Sequence, residues 1–97
     1  MIPDDVRKFI ARSFEPSDQS EAMALLQAAT LHDGSPPGQR LLRCAAVASG
    51  GSLDRLRMEI ETLKHDYRDV IVEGEYLPDG LRLIRVRDLN HPIADET

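Results

Sequence analysis

The sequence predicts an all-α domain of four helices, the fourth long, with a short C-terminal extended segment. Three observations carry this. Leu53, Leu56, Ile60, Leu63, Tyr67, Val70, Gly74 and Leu77 recur at alternating steps of three and four, the seam of an amphipathic helix. Upstream, three shorter stretches repeat the same spacing between cap and breaker residues. Leu, Ile, Val and Phe supply 25 of the 97 residues. That share exceeds the roughly 20% below which chains tend to remain disordered.

The first helix opens at Pro3-Asp4-Asp5, where proline suits the first turn and carboxylates face the positive end of the helix dipole. Val6, Phe9, Ile10 and Ser13 or Phe14 then share one face, and Glu15-Pro16-Ser17 ends the helix. Asp18-x-x-Glu21 reads as a capping box for the second helix, with Ser17 as a competing cap. Its apolar stripe is Ala22, Leu25, Leu26 and Ala29. Leu31-His32-Asp33-Gly34 closes it, with Gly34 suited to the left-handed position after a helix.

Gly34-Ser35-Pro36-Pro37-Gly38 is a loop. The third helix follows from about Gln39 to Ser49, with Leu41, Leu42, Ala45 and Ala48 as its buried set. Its small residues invite a neighbouring helix to close approach. Gly50-Gly51 breaks it and Ser52 caps the fourth helix, which is read from Ser52 to about Gly74 or Tyr76. Arg55 with Glu59 and Arg57 with Glu61 are spaced to pair along that helix. A competing α+β reading places a β-hairpin at about 70–87. Val70-Ile71-Val72 is β-branched, Tyr76 to Leu81 has turn chemistry, and Leu83 to Val86 has strand composition. The continuing seam favours the helix, which leaves 81–87 as an extended segment lying on the helices. Residues 1–93 read as one domain and 94–97 as a loose tail.

Charge and composition narrow the functions. The net charge is −5; residues 38–67 carry +1 and each flank carries −3, so no part attracts phosphate backbones strongly. Cys44 is the single cysteine, which excludes an internal disulfide or a cysteine-rich zinc site. With no apolar run of about 18 residues and no basic-then-apolar leader, the expectation is a cytoplasmic protein off the membrane.

Four arrangements bear on chemistry. His32-Asp33 and His65-Asp66 resemble the dipeptides with which metal-dependent phosphohydrolases of the HD type hold a divalent ion that activates water. Against this, His32 falls in the last turn of a helix and His65 points away from the seam into solvent. Cys44 sits among small residues, the setting of a buried thiol rather than a nucleophile. Ser49-Gly50-Gly51-Ser52 precedes a helix N-terminus as phosphate loops do, without their lysine or preceding strand. Ala46, Gly50 and Leu56 fit the spacing of a helix-turn-helix, but Asp54, Glu59, Glu61 and Asp66 on the would-be recognition helix repel phosphate.

Arg82, Arg85 and Arg87 form the remaining cluster, near Asp69, Glu73, Glu75 and Asp79. They read either as intrachain pairing or as arginine anchors for a partner. A seam about 37 Å long exceeds what three short helices cover, so its far half is free for a second copy. The functional expectation is a small non-catalytic interaction or regulatory module, with neither cofactor nor metal. It self-associates as a homodimer, or binds another protein, through the long helix, with Val70, Ile71, Arg82, Arg85 and Arg87 at the contact. The alternatives are a helix-turn-helix-like regulator using 39–66 and, third, a small metal-dependent hydrolase.

Overall fold

The computed structural model describes residues 2–93. Five helices precede a small antiparallel sheet: α1 (Asp4–Ser13), α2 (Gln19–Ala28), α3 (Gln39–Ser49), α4 (Leu53–His65), α5 (Tyr67–Glu75), β1 (Tyr76–Asp79) and β2 (Arg82–Arg85). The chain is therefore mostly helical, with one two-stranded sheet near its C-terminal end. No helix is long and apolar enough to cross a membrane among the described residues.

α3 is the central helix and packs against α1, α4 and α5, while α2 lies on α1 and α4. The apolar stripes meet in one core: Val6, Ile10 and Phe14 from the first helix and its end, Ala22 and Leu26 from α2, Leu42 and Ala45 from α3, Leu56 and Leu63 from α4. Each fully buried aliphatic side chain contributes about 1.5–3 kcal/mol, so the packing of stripes outweighs any single cap. α2 demonstrates this. The capping box expected at Asp18 and Glu21 does not form, for Asp18 is in a helical conformation and its side chain caps nothing. The helix stands on its buried face instead.

α2 also ends earlier than its spacing suggested, at Ala28. His32 consequently lies in a turn rather than in a helix terminus. Gly34 has the left-handed φ of +86° but closes that turn, donating its N–H to the Leu31 carbonyl. α3 matches its expected limits, with Gly50 left-handed after it and the Ser52 hydroxyl accepting the Arg55 N–H.

The long fourth helix is two helices. Asp66 ends α4 and starts α5 with φ −155° and ψ 96°, and its carboxylate accepts the Arg68 N–H at 3.1 Å. A short acceptor side chain satisfies the free donors of a new helix N-terminus, which makes the break inexpensive. The three–four spacing crosses it because both helices lay their apolar stripes on the same core. Leu56, Ile60, Leu63, Val70 and Gly74 are buried, whereas Tyr67, expected in the core, turns outward and is 48% exposed. The pairs expected along the helix also differ. Arg55 reaches Glu73 on α5, and Arg57 reaches Glu21 on α2 and Asp54.

α5 meets α3 closely. A side chain at Gly74 would come within 2.7 Å of the Cys44 Cα, so only glycine permits this approach. Val70, Ile71 and Val72 are helical, and the sheet starts only at Tyr76. Residues 82–85 pair with β1 and stay exposed rather than lying on the helices. After the sheet the chain returns to the body, burying Leu89, and the Ile93 N–H donates to Asp5. The expected loose tail at 94–97 lies outside the described residues.

Candidate interaction surface

The hairpin begins at a buried charge. Glu75, the last residue of α5, has a side chain without solvent exposure. Arg40 of α3 grips it with two bonds of 2.9 Å. Arg85 of β2 donates at 3.1 Å, the Leu89 N–H at 3.0 Å, and the Cys44 thiol lies 3.9 Å away. Burial alone raises this carboxyl, yet the Arg40 bonds and the Leu89 N–H hold it below the ordinary range. Burial, then the Glu75 charge, push the Cys44 thiol up to about 12, which leaves it protonated and unreactive at neutral pH. The Glu75 carbonyl accepts the Val86 N–H at 2.7 Å. One residue thereby ties α3, α5, β2 and the returning segment.

That last bond sets the phase of the hairpin. β1 and β2 pair Tyr76 with Arg85, Leu77 with Ile84, Pro78 with Leu83, and Asp79 with Arg82. Facing pairs in an antiparallel ladder alternate between bonded and non-bonded. With Glu75 bonded to Val86, the bonded pairs are Leu77–Ile84 and Asp79–Arg82. The main-chain groups of Pro78, Leu83 and Arg85 therefore point outward. Gly80, at φ +64°, makes the tight turn that closes the ladder. On the β1 edge Pro78 has no N–H to offer, while Leu83 and Arg85 present N–H and C=O groups along the β2 edge that have no partner among the described residues.

The hairpin is also apolar and exposed. Leu77, Leu83, Ile84 and Val86 are between 42% and 56% exposed, and Leu81 at the tip is completely so. Arg85 is bound to Glu75 and Asp88, and Arg87 donates to the Gly74 carbonyl at 2.7 Å. Arg82 makes no ion pair among the described residues. Thus Arg85 and Arg87 anchor the hairpin to the body, and Arg82 faces solvent. Val70 is fully buried, and Ile71 is partly buried against the core.

The other candidate sites resolve differently. His32, Asp33, His65 and Asp66 line one cleft between the α2–α3 loop and the α4–α5 junction. Asp33 is occupied by Ser35, Asp66 by Arg68, and the exposed His65 by Glu61. Among the described residues no three His, Cys, Asp or Glu side chains converge to hold a metal ion. The Gly50-Gly51 loop is glycine-rich for a packing reason, since a side chain at Gly51 would strike the Ser13 carbonyl oxygen. Of the helix-turn-helix positions, Ala46 and Leu56 are core, and the exposed arginines of α4 are already paired with carboxylates.

Three polar sites escaped the sequence. Glu75–Arg40 and Asp5–Arg43 join residues 35 and 38 apart, a separation that leaves no local pattern. Glu59, expected to pair with Arg55, is buried, and its Oε1 has no partner among the described residues. No protein-family model matches the chain, and no curated protein or solved structure shows significant similarity to it.

Proposed function

We propose that this protein is a non-catalytic interaction module that works as a homodimer, with the C-terminal hairpin as its contact element. The observation that carries the reading is the hairpin itself. Five large apolar side chains, from Leu77 to Val86, are exposed on an element of about ten residues that the core does not cover. An isolated two-stranded hairpin is marginal in water, and contiguous exposed apolar surface of this kind marks contact sites. The far half of the former seam does not support the contact, because Val70 and Gly74 are spent on α3. The hairpin takes its place.

Light scattering across a concentration series tests this. A mass near twice 10.8 kDa is expected at high micromolar concentration. Leu81→Ser with Val86→Ser is expected to return the mass to that of a monomer, whereas Met58→Ser, a change at an exposed apolar residue on α4, leaves it dimeric. A monomer at every concentration, or equal loss with Met58→Ser, defeats the proposal.

A further inference from the structure

We infer that two copies join along their β2 edges into one continuous four-stranded antiparallel sheet. The inference rests on the hairpin being the contact element and adds how the contact is made. Its first ground is the unequal pair of edges. Pro78 blunts β1, while Leu83 and Arg85 leave two N–H and two C=O groups facing outward on β2. Each copy therefore has a single open edge. Pairing of like edges about a twofold axis uses it up, so the assembly stops at two.

Register supplies the second ground. Outward-pointing residues must face one another for bonds to form. In the register centred on Ile84, Leu83 lies opposite Arg85 of the second copy, and Ile84 meets its own counterpart on the axis. Arg82 falls opposite Val86 of the second copy. No arginine directly opposes an arginine. The nearest approach, Arg85 diagonal to its counterpart, joins two side chains already neutralised by Glu75 and Asp88. The strand is thus complementary to itself in hydrogen bonding, and this register sets no like charges face to face. A shift of two residues to centre on Arg85 would place like charges face to face, which cross-strand pairs disfavour.

Leu83→Pro tests the edge itself. It removes the outward N–H and leaves the bonded pairs Leu77–Ile84 and Asp79–Arg82 with all their donors, as Pro78 already does on the other strand. Across the twofold axis two bonds are lost, and dimer affinity is expected to fall by about tenfold or more. Leu83→Ala, which retains the N–H, is expected to fall less. Amide exchange on the unaltered chain guards against a misfolded variant. Protection of Leu83 and Arg85 amides should rise with protein concentration while that of Ile84 stays constant. A dimer that is indifferent to Leu83→Pro, with no concentration-dependent protection at Leu83, overturns edge pairing yet leaves self-association standing. A chain that is monomeric throughout overturns both.

Discussion

Glu59 and Glu75 are both buried carboxylates, and they respond to pH in opposite directions. Burial, then the charge of Glu73, raise Glu59 from the ordinary 4.5 to about 7; Asp69 adds to this and Arg55 opposes it. The folded state keeps a proton that the unfolded chain gives up above about pH 4.5. Stability from this site is therefore full below that pH and declines until about pH 7, by roughly 3 kcal/mol in all. Glu59→Gln should raise the urea midpoint at pH 8 and barely move it at pH 4; an equal shift at both would contradict the account. Glu75 is held low, so its contribution is present above the ordinary value and fades as pH falls through the folded one. Breaking its cluster by Glu75→Ala should cost about 3–5 kcal/mol, read by urea denaturation at pH 7. Neither residue announces itself in the sequence. Glu59 lies where an exposed pair with Arg55 is the natural reading, and the partners of Glu75 come from distant segments.

Among the elements, α4 and α5 show what periodicity reports and what it omits. Spacings of three and four mark the residues that share a core, and they located Leu56, Ile60, Leu63, Val70 and Gly74 correctly. They do not report whether the backbone between them is continuous. Asp66 is the missing term, a residue whose side chain caps a new helix as readily as it sits in an old one. Asp66→Ala removes that cap and is expected to cost about 1 kcal/mol, measured by thermal unfolding. Gly74→Ala should cost more, about 1–3 kcal/mol, because its new carbon meets the Cys44 backbone rather than a flexible side chain. If Gly74→Ala is neutral, the close crossing of α3 and α5 is wrong. The hairpin was half visible. Turn residues and strand composition from Tyr76 to Val86 pointed to it, while Val70-Ile71-Val72 misplaced its start, since burial against α3 overrides β propensity.

For the whole molecule, helical content and a single apolar core were readable because both follow from local spacing. The closing of the chain upon itself was not. After β2 the chain returns to bury Leu89 and to place its N–H on Glu75, while Arg43 bridges Asp5 and the Leu89 carbonyl and Ile93 reaches Asp5. Residues 88–93 thus lock the first helix to the last. Truncation after Arg87 is expected to lower stability by about 2 kcal/mol from lost Leu89 burial alone, and further through the polar groups left unmatched. A urea midpoint equal to that of the full chain would show these contacts to be incidental. The described chain measures 37 × 37 × 23 Å with a radius of gyration of 12.7 Å, close to the value of about 13 Å for a packed domain of 100 residues.

The grip on Glu75 has a kinetic meaning. Its side chain and carbonyl together fasten both ends of the hairpin, so the edge is aimed before anything meets it. A flexible arm must be ordered at the moment of encounter and loses affinity in doing so. A rigidly mounted arm has already lost that freedom during folding. If the proposed pairing holds, recognition by this surface is expected to behave as the docking of a finished part, with an association rate set by collision and orientation rather than by the folding of a loop.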